Sequence, residues 1–254
     1  VISLAGDGWR VDGIAAVLFD KDGTLIDSHA YWGAIIRRRA RAAVEAFGLP
    51  GDRYDGLCGS MGLDLATGRL RPEGPIALVS REEVIRAVRG HLATLGVDAA
   101  ELALADLFVR EHAAFLSEIH DHVRLLPGVR PLLDALRGAG VRTAVVTTDA
   151  VANTRETLRH LGIDGCFDAV IGKESAPEGK PAPGPALAAL AALGASAGET
   201  ACVGDAPMDL LMSRNAGLLA CIGVATGQVP PEDLARHTPF VARSLEELAV
   251  IRHR

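Results

Sequence analysis

Two aspartates one residue apart, Asp20 and Asp22, close the apolar run Val17-Leu18-Phe19, and Gly23-Thr24-Leu25 follow at once. A buried strand that stops at carboxylates delivers them to the rim of a sheet, where open α/β folds hold their ligands. Like charges at that spacing repel unless a cation or a proton separates them. The pair suits a reaction in which one acid attacks as a nucleophile, the other handles protons and a metal offsets both charges. Asp-Gly is also ordinary turn chemistry. A calcium loop opening D-x-D would need Gly at its sixth position and Glu at its twelfth. Counted from Asp20 those places hold Leu25 and Tyr31, which rules that loop out.

Three further apolar segments end in polar groups. Thr147-Thr148-Asp149 follow Thr143-Ala144-Val145-Val146, Lys180 follows the strand expected over 167–171, and Gly204-Asp205 with Asp209 follow Ala201-Cys202-Val203. Each has a plain structural reading. Thr148 or Asp149 ahead of Val151, and Asp205 ahead of Pro207, are good helix caps. Together, carboxylates from two strands, a hydroxyl and a lysine on one rim of a parallel sheet are hard to explain as caps alone. Lysine usage adds to this. Of 26 basic residues only Lys21, Lys173 and Lys180 are lysine, so the chain keeps a compact ammonium for few places, one between the two aspartates and one in Gly179-Lys180-Pro181-Ala182-Pro183.

The elements that must position these groups alternate from about residue 126 onward. Helices are expected over 128–138, 151–161, 185–193 and 208–216. Strands are expected over 141–147, 167–171, 200–204 and 218–225, with Ile14–Phe19 as one more. A last short strand is expected near Phe240-Val241, before a C-terminal helix. This rhythm implies βαβ units and a doubly wound, Rossmann-like parallel sheet covered on both faces. Residues 28–125 break it with helical patterns over 31–47, 81–95 and 100–120 around a Gly-rich section, 56–74. The expected organisation is an α/β core of 1–27 and 126–254 with a helical domain, 28–125, inserted after the first strand. Its hinges fall near Asp27-Ser28 and Leu125-Pro127.

Composition narrows the function classes. At 254 residues with 49% hydrophobic and 23% charged, the chain is globular. A net charge of −6 and only 4% aromatics do not make a basic, stacking surface for nucleic acid. No apolar run reaches bilayer length, about 20 residues. Val1 to Gly13 carries Asp7 and Asp12 and does not read as a secretory signal. Cys58, Cys166, Cys202 and Cys221 form no C-x-x-C pair. Three of them are expected to be buried, and a cytoplasmic home follows from unpaired thiols. The eight histidines show no metal-ligand spacing.

In order and spacing the motifs resemble those of the haloacid dehalogenase-like hydrolases, in particular phosphoglycolate-phosphatase-type members with a helical cap after the first strand. The D-x-D-G-T-[LV] motif stands as Asp20 through Leu25, the strand-end Ser/Thr as Thr147, the lysine motif as Lys180-Pro181-Ala182-Pro183, and G-D-x-x-x-D as Gly204-Asp205 through Asp209. Thr148 stands where many relatives have Asn, and Ala206 where many have Ser. The resemblance implies Asp20 as nucleophile forming an aspartyl phosphate and Asp22 as general acid, then base. It implies Mg2+ on Asp20, the backbone carbonyl of Asp22, and Asp205, with Asp209 behind them. Thr147 and Lys180 would hold phosphoryl oxygens, with Thr148, Gly23, Thr24 and the Lys21 backbone N–H completing the phosphate site. The Lys21 side chain is expected to point away from the carboxylates.

Within such a family, Asp22 argues against a dehalogenase, which needs no leaving-group proton. The absence of lysine from 28–125 argues against phosphonatase Schiff-base chemistry. The expected function is a Mg2+-dependent phosphatase acting on a small phosphorylated metabolite such as phosphoglycolate or a sugar phosphate, as a monomer or homodimer, with no nucleic-acid or membrane partner. A phosphohexomutase and a non-catalytic ligand-binding member are the alternatives. Substrate choice is expected to rest on the inserted domain, with Tyr31, Trp32, Arg53, Arg69 and Arg71 as candidates. Packing is the competing reading for Tyr31 and Trp32, and a solvated helix face is expected for Arg37-Arg38-Arg39.

Overall fold

A computed structural model describes residues 1–76, 78–116 and 118–253. Strands β1 (Ile2–Gly6), β2 (Trp9–Ile14) and β3 (Ala16–Phe19) come first. Helices α1 (Ser28–Ala46), α2 (Tyr54–Ser60), α3 (Arg81–Thr94) and α4 (Glu101–Leu116) follow. Then come α5 (Val129–Gly138), β4 (Arg142–Val146), α6 (Val151–His160), β5 (Ala169–Ile171), α7 (Gly184–Leu193), β6 (Thr200–Gly204) and α8 (Pro207–Asn215). The chain closes with β7 (Ala220–Val224), α9 (Pro231–Leu234), β8 (Phe240–Ala242) and β9 (Ala249–Arg252). Ser117, inside the helix expected over 100–120, lies outside the described residues. Two compact units result, Val1–Asp27 with Arg124–Arg254, and Ser28–Val123.

In the first unit six parallel strands run in the order β5-β4-β3-β6-β7-β8. The strands are buried on both faces, which is why they read as continuous apolar runs. Ala16, Leu18, Ala144, Val146 and Cys202 pack against Ala186, Ala189 and Leu193 of α7 and Met212 of α8. Val17 and Phe19 take the other face by the period-2 rule, and Phe19 meets Phe167 edge-on at 6.3 Å. β3 lies between β4 and β6, so the segment after Phe19 is flanked by the loops that follow those strands. Ile26 pairs with Leu125 as an antiparallel bridge, and the Asp27 N–H donates to the Arg124 carbonyl at 2.9 Å. The chain thus leaves and re-enters this unit side by side.

A second, antiparallel sheet, β2-β1-β9, was not expected. Asp7-Gly8 joins Gly6 to its partner Trp9 in a two-residue turn with Gly8 at φ 74°. Trp9 lies against Phe240 at 5.5 Å and donates from its indole N–H to the Val241 carbonyl at 3.0 Å, covering the outer strand of the large sheet. Two expectations are corrected here. Ile14 ends β2 rather than starting β3: it pairs with Ile2 beyond a bulge where Gly13 takes φ 81°, and the chain bends at Ala15 before β3 begins. The expected C-terminal helix is one short 3-10 turn, Leu245–Glu247. The β-branched residues beyond it pair with β1 instead, Val250 on Leu4 and Ile251 on Ser3.

The second unit has its own core, including Ile36, Ala40, Leu57, Val84, Val88, Leu92, Leu104 and Phe108. α3 starts with a full capping box, Ser80 and Glu83. Arg39 departs from the expected solvated face. It shares a helix row with Ile35 and Ala43, is 4% exposed, and stacks its guanidinium 4.3 Å from the Phe108 ring centre. Burial pulls its pKa down to about 10. Two cysteines rather than three are buried, Cys58 and Cys202, and all four thiols are free. Among the described residues no helix is long and apolar enough to cross a membrane.

Candidate active site

Immediately after β3 the backbone turns tightly. The Lys21 carbonyl accepts from the Leu25 and Ile26 N–H groups at 2.9 Å each, and Gly23 takes φ 85°. That turn holds Asp20 and Asp22 at the rim of the sheet. Gly23 is needed for space as well as for its dihedral, because a Cβ there would sit 2.3 Å from Asp205 Oδ2.

Asp20 lies between a lysine and two further acids. Lys180 Nζ is 2.5 Å from Asp20 Oδ1 and 2.6 Å from Asp209 Oδ1, with the lysine and Asp209 side chains each 2% exposed. Its ammonium is held by the irregular segment after β5, next to a cis Lys180–Pro181 peptide. Asp20, Asp205 and Asp209 place one carboxylate oxygen each within 4.8 Å of one another, a spacing that suits a single hard cation. Thr24 Oγ1 donates to Asp205 at 3.3 Å. Asp205 is therefore not the expected cap of α8. Ala206 takes that position, and its N–H donates to Asp209 Oδ2 at 3.2 Å. The acids fit a divalent cation, since Lys180 pairs with Asp20 and Asp209 while Asp205 lies buried beside them with only the Thr24 hydroxyl donating to it among the described side chains.

Electrostatics follow from burial. Asp20 is pushed up to about 6 by desolvation, with the Asp209 charge adding to it and Lys180 opposing. Asp22 is likewise pushed up to about 6 by burial, then by Asp149 and Asp20, against the pull of Lys21. Asp205 is raised well above the ordinary carboxylate range by burial and the Asp20 charge. Burial works against the charge on Lys180 and Lys21, and their carboxylate partners outweigh it, so both stay ammonium.

Lys21 corrects a sequence expectation. Its side chain does not point away from the carboxylates. It is 4% exposed, with Nζ 2.9 Å from Asp22 Oδ2 and 2.7 Å from Asp149 Oδ2. β3 ends at Phe19, so strand alternation no longer sets the direction of residue 21. Its backbone N–H donates to the Asp20 carboxylate. Asp149, engaged by Lys21, does not cap α6, and neither does Thr148. The Val151 N–H is met by Glu174 Oε1 at 2.9 Å.

Thr147 and Thr148 line a small pocket of about 130 Å³ with Gly172, Lys173, Gly179 and Lys180, and with Glu178 and Pro185. Thr147 is buried and accepts the Asp149 N–H at 3.2 Å, while Thr148 is exposed. One contributor was missed. The loop after β7 brings Thr226, whose hydroxyl donates to the Gly23 carbonyl at 2.5 Å. It also brings Gly227, where a Cβ would lie 1.7 Å from Asp205 Oδ2. Its signal was a fifth apolar run, Cys221-Ile222-Gly223-Val224, ending in Thr-Gly.

Asp20, Asp22, Lys21, Gly23, Thr24, Thr147, Thr148, Lys180, Asp205 and Asp209 thus belong to the α/β unit, along one rim. Tyr31, Trp32, Arg53, Arg69 and Arg71 belong to the helical unit. There Tyr31 is buried, edge-on to Trp32 at 5.1 Å and to Phe115 at 5.4 Å, while Arg53, Arg69 and Arg71 are exposed.

The family model for the haloacid dehalogenase-like hydrolases matches residues 14–217. This chain belongs to that family. The chain is 32% identical over 229 residues to a protein named probable phosphatase IndB of Dickeya dadantii, covering 89% of this chain and 87% of that one. It is 31% identical over 229 residues to a phosphoglycolate phosphatase of Cereibacter sphaeroides, covering 88% and 92%. Among solved structures, a predicted phosphoglycolate phosphatase from Haemophilus somnus superposes with a TM-score of 0.68 at 22% identity, covering 92% of this chain and 96% of that one. For this hydrolase the likeness in structure speaks to the fold, and the likeness in sequence to a phosphatase.

Proposed function

We propose that this member of the haloacid dehalogenase-like hydrolases is a magnesium-dependent phosphomonoester hydrolase working through an aspartyl phosphate on Asp20. The observation that carries the reading is the seat of Asp20. It stands at the end of a central strand, with a buried ammonium 2.5 Å away and two more carboxylates within reach of a shared cation. Asp20, Asp205 and the Asp22 backbone carbonyl would hold Mg2+, which offsets carboxylate–phosphate repulsion and the charge on the transferring group.

Asp20 attacks phosphorus. As the ester P–O bond breaks, its electron pair leaves with the oxygen and Asp22 supplies the proton. Asp22 then takes a proton from the water that cleaves the Asp20–phosphate bond. Lys180 steers Asp20 and, with Thr147, holds phosphoryl oxygens; the pocket beside them has the size for one phosphoryl group. The substrate class is a small phosphorylated metabolite, with the helical unit selecting it. Tyr31 supplies packing there, and Arg53, Arg69 and Arg71 supply exposed cations for an anionic substrate group.

The test is phosphate release from a panel of small phosphomonoesters, with Mg2+ and with EDTA, for wild type and Asp20→Asn. Release that needs Mg2+ and falls by about a thousandfold or more in the variant is expected. Near-wild-type turnover by folded Asp20→Asn would remove Asp20 as nucleophile. Transfer of phosphate to a second hydroxyl of the sugar in place of water would make the protein a mutase.

A further inference from the structure

The contact that strand alternation did not foresee carries a role of its own. Lys21 joins two acids from neighbouring loops, Asp22 in its own turn and Asp149 after β4. Asp149 is a fixed point. Its carbonyl accepts the Lys173 N–H at 2.9 Å, and its N–H is bound to Thr147 Oγ1 at 3.2 Å. Gly172 packs so closely that a Cβ there would lie 2.6 Å from the Asp149 carbonyl oxygen. The ammonium is enclosed, at 4% exposure, whereas Asp22 is 23% and Asp149 46% exposed. A lysine lodged this way has one place to stand.

We propose that Lys21, anchored by Asp149, is a positioning residue that grips Oδ2 of Asp22 and so presents the other carboxyl oxygen to the leaving group. The inference rests on the phosphatase reading above and adds to it a second lysine device. Lys180 ties the attacking acid to Asp209, and Lys21 ties the proton-carrying acid to Asp149. The chain spends two of its three lysines on these pairs, while arginine fills 23 of its 26 basic positions. An ammonium serves here because it is a compact point charge with three donors, which reaches two carboxylates with less displacement than a planar guanidinium. The grip matters where the leaving oxygen needs a proton. An alkoxide leaves poorly without one, and p-nitrophenolate leaves well without one. Loss of position should therefore fall unevenly on the two kinds of ester.

The experiment compares kcat/KM for an alkyl phosphate, glycerol phosphate, with that for p-nitrophenyl phosphate, in the full chain with Mg2+. The variants are Lys21→Met, Lys21→Arg, Asp149→Asn and the Lys21→Met/Asp149→Asn double variant, each checked for fold by circular dichroism. kcat/KM is the right quantity because it reports the steps through loss of the leaving group. In Lys21→Met the alkyl ester should lose at least about tenfold more than the aryl ester, a share of the hundredfold or more that a general acid supplies. Asp149→Asn should lose in the same direction by less, the double variant should be no worse than Lys21→Met, and Lys21→Arg should recover part of the alkyl rate. Asp149 is half exposed, so its variant carries the test if Lys21→Met fails to fold. Equal losses on both esters would make the lysine a structural tie and overturn the proposal, as would the absence of any loss. A folded wild type that releases phosphate from neither ester would overturn the phosphatase reading and this inference with it.

Discussion

On the proposed mechanism Asp22 has two duties, and Asp22→Asn separates them in time. The variant cannot protonate an alkoxide, and it cannot take a proton from water, so both halves of the cycle slow. With p-nitrophenyl phosphate the first half needs no proton, and a burst of nitrophenolate followed by a steady rate slower by about a hundredfold or more is expected in stopped flow. A second expectation concerns protons at the proposed metal site. Asp20 and Asp22 titrate at about 6 in the folded chain against an ordinary value of 3.8, because burial favours their neutral forms. A folded state that binds a proton more tightly than the unfolded one is stabilised by it. That contribution is complete below the ordinary carboxylate value and is lost as pH rises through about 6. On the proposed reading Mg2+ takes the place of the Asp20 proton, so the rise in Tm on adding Mg2+ should be larger near about pH 8 than near about pH 5. An equal rise at both would mean that the metal does not sit on these acids. At this scale Asp20, Thr147 and Asp205 were legible because they follow apolar runs directly, and Lys180 because lysine is scarce in this chain. The direction of Lys21 was not, because it depends on Asp149, 128 residues away. The burial of Arg39 was hidden by its two arginine neighbours.

Loops rather than strands carry the site, and their spacing is tight. Gly227 tests this, since a Cβ there would meet Asp205 Oδ2 at 1.7 Å. Gly227→Ala should push Asp205 aside, weaken Mg2+ binding by about tenfold or more as read from the Mg2+ dependence of the rate, and leave the circular dichroism spectrum intact. Full affinity in that variant would show that the loop after β7 plays no part in holding the acid. Trp9 tests the small sheet. Trp9→Ala removes the Phe240 contact and the hydrogen bond to Val241, and should cost about 2 kcal/mol in urea unfolding with little change in kcat. That sheet could have been read. Asp7-Gly8 between Ala5 and Trp9 is a hairpin signature, and it is the turn the structure shows. β9 was harder, because Leu245-Glu246-Glu247 begins like a helix and its partner strand lies at the other end of the sequence.

Each of the two units has a core of its own, and the break in the alternating rhythm near residue 28 is what made the insertion visible in sequence. The structure adds that the connecting segments run side by side, Ile26 against Leu125. A short Gly/Ser linker in place of residues 28–123 should therefore leave a folded α/β unit with a cooperative thermal transition. Such a protein should still release phosphate from p-nitrophenyl phosphate at a reduced rate, and should lose its ranking among metabolites, since the groups proposed to choose would be gone. A chain that no longer unfolds cooperatively would show that the helical unit is needed for folding and not for selection alone.

The pairing of β1 with β9 also sets how the molecule answers a pull. Ile2 faces Arg252 and Ala5 faces Ala249, so residues 2 and 252 form the first rung of an antiparallel ladder. Tension applied at those two points loads the rungs one after another, as a zip is opened, instead of shearing them all at once. The hydrogen bonds then yield singly, each worth only about 1 kcal/mol. Stretched in this way, the chain would shed its small sheet at low force while the six-stranded sheet, and the carboxylates at its rim, stayed in place.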